Sequence, residues 1–390
     1  MSEVRVNNLS NENNTGGPTI SGITTYSGRH FFVPPQGDTA SRPSDCEPGS
    51  FRFNTDTKHL EYFRGNTIGW VEVEAEPSSD VLGGGTGSNT GLGHRGVLAG
   101  GYPGPSPGSY VDLIDFITIS TLGNSQDFGD MPANTAEMAA FGSRTRGVTV
   151  STAYSTHAQY ITFASTGYVT SFGTSTQART QSASFSNSTR GIQAGGSLGY
   201  PNFVNTIDYY TIAQTGNAVD FGDLAGDTRV GPAGLANTTR GIIACGYAPA
   251  SGDRVNRMDF VTISTTGNSN DFGDNASKSG SYGFAGGNST RGILAAGTVP
   301  SAVNNIDFFS IATTGNTQDF GDLTRIGNNV VNGAVSDPTR MCCMGGGNAP
   351  GFVNTIDFIQ IATTGNAKDF GDIQTTRDRG AGMSTGHGGL

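Results

Sequence analysis

Thr290-Arg291-Gly292-Ile293-Leu294-Ala295-Ala296-Gly297 opens a stretch that continues through Asn305-Ile306-Asp307-Phe308-Phe309-Ser310-Ile311-Ala312, Thr314-Gly315-Asn316 and Asp319-Phe320-Gly321-Asp322. The first run is small and apolar and suits a strand in a crowded place. The second is apolar almost throughout, as in a strand with neighbours on both faces. Thr314-Gly315-Asn316 supplies hairpin turn chemistry. Asp319-Phe320-Gly321-Asp322 belongs to the next strand, and Val330-Val331-Asn332-Gly333-Ala334-Val335 leads into the next Thr-Arg. No segment of ten residues has helical periodicity. One unit therefore reads as four short antiparallel strands.

The unit recurs. Thr-Arg-Gly stands at Thr145-Arg146-Gly147, Thr189-Arg190-Gly191, Thr239-Arg240-Gly241 and Thr290-Arg291-Gly292, with variants at His94-Arg95-Gly96 and Thr339-Arg340-Met341. The six arginines are 51, 44, 50, 51 and 49 residues apart. Asp-Phe-Gly-Asp ends at Asp130, Asp223, Asp274, Asp322 and Asp372, and decays to Ser171-Phe172-Gly173-Thr174 in the second repeat. Two markers with one period of about 50 residues predict a repeat array of four-stranded sheets, an all-β propeller.

The units resemble kelch repeats, with a Gly-Gly doublet closing the second strand at Gly100-Gly101, Gly195-Gly196 and Gly345-Gly346. Gly246 and Gly297 stand alone, the second repeat has neither glycine, and the usual kelch Trp is missing, with the Phe of Asp-Phe-Gly-Asp in its place. Phrases such as Asn354-Thr355-Ile356-Asp357-Phe358 and Ala362-Thr363-Thr364-Gly365-Asn366 resemble virion structural proteins of tailed marine cyanophages. The resemblance covers residues 95–390. It implies a six-bladed kelch-like β-propeller in a fibre or appendage. Counting strands adds a closure. Arg379-Gly380-Ala381-Gly382-Met383-Ser384-Thr385 looks like an innermost strand without a sheet of its own, whereas the first repeat lacks one. The C-terminal strand is expected to complete the first repeat and remove a free edge.

Upstream, residues 1–22 read as an extended attachment arm. Residues 23–80 read as a small β-meander for docking to the virion, with strands at Phe51-Arg52-Phe53-Asn54, His59-Leu60-Glu61-Tyr62-Phe63 and Trp70-Val71-Glu72-Val73-Glu74. Gly49 to Val71 resembles a short module of phage fibre proteins. Residues 81–94 are a Gly-rich linker.

Composition narrows the function. Sixty glycines favour turns over helix, and they do not fall on every third residue, which excludes collagen. A formal charge of −10 argues against nucleic acid as partner. No apolar run reaches the ~20 residues that would span a bilayer, and Met1-Ser2-Glu3-Val4-Arg5 does not begin a secretory signal. Cys46, Cys245, Cys342 and Cys343 form no CxxC pair and read as reduced, strand-buried thiols.

The repeated aspartates (Asp115, Asp208, Asp259, Asp307 and Asp357 on third strands) invite a calcium reading. Calcium needs 6–8 converging oxygens, so turn capping and pairing are the expected roles, with no metal and no cofactor. The six repeat arginines are expected to fork onto the first Asp of Asp-Phe-Gly-Asp, an anion-binding ring being the alternative. His30, His59, His94, His157 and His387 assemble no catalytic set.

Recognition is expected where repeats differ. Loops between second and third strands, and between one repeat and the next, should share one face. Tyr102, Tyr110, Tyr200, Phe203, Tyr247, Arg254 and Phe352 are the candidate ligand contacts. The reading is a non-enzymatic virion protein, made in the host cytoplasm and homo-oligomeric in the particle. Its N-terminal region would bind other virion proteins, and its loop face a host surface glycan or protein. A polysaccharide hydrolase or lyase, and a purely architectural part, are the alternatives.

Overall fold

The computed structural model describes residues 34–73, 94–104, 110–150, 155–277, 282–299, 301–327, 333–348 and 351–390. The expected arm and most of the linker lie outside these. Among the described residues there is no helix, and so none long and apolar enough to cross a membrane. The chain divides into two compact units, residues 1–76 and 77–390.

In the first unit, Phe51–Asn54, Leu60–Phe63 and Trp70–Val73 pair antiparallel as expected. A strand missed in the sequence, Gln36–Gly37, adds in parallel along Phe51–Asn54. Arg52, Asn54 and Glu61 share the buried face, where Glu61 accepts from Arg42 at 2.6 Å and lies 3.4 Å from Arg52.

Among the described residues the second unit contains six sheets of four main strands, five of them in chain order and the first not. In the third sheet these strands are Ala183–Ser186, Arg190–Ala194, Thr206–Thr211 and Val219–Asp223. In the first sheet they are Ala381–Ser384, Arg95–Ala99, Val111–Thr118 and Gln126–Thr135, so the C-terminal strand does supply the missing inner one. Each innermost strand packs on the innermost strand of the next sheet, and the sixth packs on the first, so the contacts are cyclic.

Three side chains repeat in every sheet. The repeat arginine lies over an aromatic ring of the third strand, from Arg146 over Tyr160 at 4.4 Å to Arg340 over Phe358 at 4.9 Å. That ring meets the Phe of Asp-Phe-Gly-Asp edge-on, as in Phe308–Phe320 at 5.8 Å and Tyr209–Phe221 at 6.2 Å. Cation–π and edge contacts of this kind each contribute about 0.5–1.5 kcal/mol. The same guanidinium donates to a carbonyl of the following sheet: Arg95 to Phe163 at 2.6 Å, Arg190 to Ile263 at 3.0 Å, Arg340 back to Ile119 at 3.2 Å.

The expected Arg–carboxylate fork is therefore wrong. The third strand stands between the arginine and Asp-Phe-Gly-Asp, and strand alternation turns Asp127, Asp220, Asp271, Asp319 and Asp369 outward to solvent.

Four of the five third-strand aspartates pair instead with buried arginines that the repeat pattern did not reveal, and the fifth, Asp307, accepts from the Ser277 hydroxyl. Arg377 meets Asp115 at 2.9 Å, Arg179 meets Asp208 at 2.9 Å, Arg229 meets Asp259, and Arg325 lies 3.6 Å from Asp357. Each arginine enters its own sheet just before, or a few residues before, the innermost strand. These pairs account for the acids that suggested calcium, and no group of three metal-ligating side chains occurs among the described residues. Cys245, Cys342 and Cys343 are buried thiols on or beside second strands, and burial pushes Cys245 up to about 12. Cys46 is instead half-buried in a loop, 3.7 Å from the carbonyl oxygen of Pro43.

Two glycine positions set the spacing between sheets. A Cβ on Gly222 of Asp-Phe-Gly-Asp would come within 2.5 Å of the carbonyl oxygen of Gly267 in the next sheet's turn. The residue after it, Asp223, then donates its N–H to Asn268 Oδ1 at 3.0 Å. The same docking recurs around the ring, ending with Asp372 N–H on Asn124. The glycine after the repeat arginine makes room for a neighbouring inner strand: side chains at Gly191 and Gly241 would collide with Phe141 and Phe185. The sixth repeat carries Met341 there, and its neighbour is Gly286, so bulk and space have changed places.

Candidate binding site

All six innermost strands line one axial cavity of about 60 Å³. Its two ends differ. At one end residues 385–390 fold in. His387 is half-buried, donates from Nε2 to Gly142 O at 2.8 Å and accepts at Nδ1 from Gly389 N–H at 3.2 Å. Burial lowers its pKa to about 4, against the pull of Gly142, with His94 and Arg144 adding to the lowering. Side chains at Gly388 and Gly389 would strike the carbonyls of Asn288 and Ser186.

The other end is the face of variable loops. Bridges Tyr102–Asp378, Thr180–Ser197 and Val230–Tyr247 join three of the inter-repeat connections to the loop after a second strand, so both loop classes share this face as expected. The predicted contact residues fall into three groups. Tyr102 meets Tyr110 at 6.1 Å and Phe352 at 5.5 Å, both edge-on, which joins loops of the first and sixth sheets. Tyr200 and Phe203 form a separate pair at 6.1 Å on the hairpin Ser197–Gly199/Asn202–Phe203, with Tyr200 89% exposed. Tyr247 stands directly across from Arg254 on a third hairpin.

At the centre of this face lies a feature the sequence did not signal. Glu137, Gln181, Gly231, Tyr282 and Arg379 each sit two residues before an innermost strand, all left-handed with φ of 61°, 55°, 64°, 54° and 55°. Their backbones form a chain. Glu137 N–H donates to Arg379 O at 3.0 Å, Gln181 to Glu137 at 3.1 Å, Gly231 to Gln181 at 2.8 Å and Tyr282 to Gly231 at 3.0 Å. The sixth place in this circle lies outside the described residues.

The side chains of the circle pair across the mouth. Arg379 Nη1 meets Glu137 Oε1 at 3.1 Å, its Nε lies 3.6 Å from Asp378 Oδ1, and its guanidinium covers Tyr102 at 5.2 Å. Tyr282 lies against Gly231 and donates its hydroxyl to Gln181 Oε1 at 3.4 Å. Burial pushes the Tyr282 hydroxyl up to about 12, against Arg254 and Arg379 and together with Glu137 and Tyr247. The mouth thus gathers two of the three predicted groups, with Tyr200–Phe203 outside it.

Asp378 is the unusual member. It is 2% exposed, and neither carboxyl oxygen has a hydrogen-bond partner. Burial raises its pKa to about 7, with Arg379 opposing and Glu137 adding to the rise. The arrangement offers adjacent donors and acceptors on a rigid frame. The chain matches no protein-family model and no curated protein.

Proposed function

We propose that the second unit is a six-bladed kelch-like propeller that acts as a recognition module of a phage virion appendage. Six like sheets in cyclic contact, closed by a strand from the chain's far end, support the architecture. One observation carries the function: side chains of different chemistry converge on the mouth of a frame whose opposite end is filled by its own residues 385–390. A binding module needs one differentiated face on a uniform scaffold. In this reading the N-terminal region holds other virion proteins, copies of the chain associate in the particle, and the loop face contacts a glycan or protein of the host surface. Labelled full-length protein should bind intact host cells saturably and compete with particle adsorption. Binding no greater than to non-host cells would refute the reading.

A second reading, cleavage of a surface polysaccharide, is favoured by Asp378 and Glu137 alone. Burial raises one carboxyl to about 7 while the other is ion-paired, and one guanidinium lies 3.6 Å from the first and 3.1 Å from the second. Release of reducing ends from host polysaccharide by the full chain, lost in Asp378→Asn, would establish it.

A further inference from the structure

We infer that the axial mouth binds the terminal residue of a neutral saccharide chain through Arg379, Glu137, Gln181 and Tyr282. The inference rests on the recognition reading above and names its ligand class.

The chemistry of the mouth selects hydroxyls. Arg379 is 30% exposed and fixed between two carboxyls, and the Glu137 carboxyl beside it is 9% exposed, so an open donor stands next to a nearly covered acceptor. Neighbouring sugar hydroxyls match that arrangement, one accepting from the guanidinium and the next donating to the carboxylate. Tyr282 and Gln181 form a second such pair across the opening. Asp378 behind them is a buried carboxyl 3.6 Å from the Arg379 Nε, and it holds the guanidinium from its inner side.

Charge excludes the other saccharides. Glu137 and Asp378 face Arg379, with Arg254 close to Tyr282, so the mouth is nearly balanced. The chain as a whole carries −10, which repels uronate and sulfate chains.

Backbone and cavity agree. Four residues bear side chains in a left-handed conformation that Gly231 occupies freely, at a cost of about 1–2 kcal/mol each. Strain kept at a ring of polar side chains points to the side chains being used. The axial cavity of about 60 Å³ lies further in, between the inner strands and against His387 and Gly388, and is too small for a sugar, so a sugar is held at the mouth by its end.

The test is titration of full-length protein with neutral and acidic oligosaccharides, with thermal melting alongside. Arg379→Gly and Gln181→Gly relieve backbone strain, and Tyr282→Phe removes one hydroxyl. Each should weaken neutral-saccharide binding tenfold or more, with melting kept in Gln181→Gly and Tyr282→Phe and lowered in Arg379→Gly, which leaves Glu137 and Asp378 without their cation, whereas Tyr168→Ala on the opposite face should not weaken binding. Preference for acidic saccharides would overturn the inference, as would unchanged affinity in Arg379→Gly and Tyr282→Phe. Loss in Tyr200→Ala with Arg379→Gly unaffected would also overturn it and leave the recognition face standing. Host-cell binding without any saccharide affinity would do the same. Failure to bind either saccharides or host cells would sink both readings.

Discussion

The first and second sheets are neighbours and irregular in opposite ways. The first keeps every repeated side chain but is assembled from residues far apart, Arg95–Ala99 pairing with Ala381–Ser384. The second is continuous in the chain but has lost half its markers. It has Gln159 where other sheets have the buried Asp, Thr135 where the first, third and fourth have Arg377, Arg179 and Arg229, and Tyr168 where the others have the turn Asn. Both retain the stack of arginine, third-strand ring and Phe: Arg95–Phe116–Phe128 and Arg146–Tyr160–Phe172. Chain continuity and the buried ion pair are therefore each dispensable to a sheet, while the stack and the close approach at the Gly of Asp-Phe-Gly-Asp persist in all six.

Four experiments would break or sharpen that contrast. Removing residues 379–390 leaves the first sheet without its inner strand and opens an apolar edge. We expect loss of the cooperative unfolding transition by circular dichroism, and an unchanged melting curve would refute the closure. Next is Arg377→Thr, which installs the second sheet's residue but leaves Asp115 buried without its cation. It should cost about 3–5 kcal/mol in urea titration. Arg377→Thr with Asp115→Gln imports the second sheet's whole solution and should return to within about 1 kcal/mol of the parent. If the double variant is as weak as the single one, the ion pair is not dispensable.

The third concerns the seam between these sheets, where His387 follows the first sheet's inner strand and bonds to Gly142 of the second. Its folded pKa of about 4 lies below the ordinary 6.5, so the unfolded chain binds the proton more readily. The resulting stability is complete above pH 6.5 and declines as pH falls to 4, by about 3 kcal/mol in all. Stability measured from pH 7 to 4 should show this slope, and His387→Gln should lack it. The smallest effect is a gain. Tyr168→Asn restores the turn residue that elsewhere accepts a backbone N–H from the preceding sheet, and should add about 0.5–1 kcal/mol. Tyr168 is 87% exposed, so little packing is lost.

Much of this fold was legible because its repeated contacts use the same residue types each time. Thr-Arg-Gly and Asp-Phe-Gly-Asp marked the strands, and counting inner strands gave the closure at Ala381–Ser384. The partner of the arginine was misread because sequence distance to Asp-Phe-Gly-Asp says nothing of the strand lying between. The buried arginines escaped because their position varies: Thr135 stands where Arg179, Arg229 and Arg377 do, and Arg325 enters from further upstream. The mouth was the least legible part. Glu137, Gln181, Gly231, Tyr282 and Arg379 share a backbone conformation and no side-chain property, and only Gly231 announces a left-handed residue. Tyr102, Tyr247 and Arg254 were found because variable loops drew attention to them, but the polar circle they surround was not.

The late arrival of Ala381–Ser384 also sets a schedule for synthesis. By the time a ribosome has made Thr135, three strands of the first sheet exist, and their fourth lies about 250 residues ahead. At roughly 5–20 residues per second that is a wait of about 12–50 seconds. Throughout it Gly96-Val97-Leu98-Ala99 has an unpaired apolar edge that any other nascent copy could occupy. Sheets two to six can form in order as they emerge, whereas the first, though begun before them, is completed last.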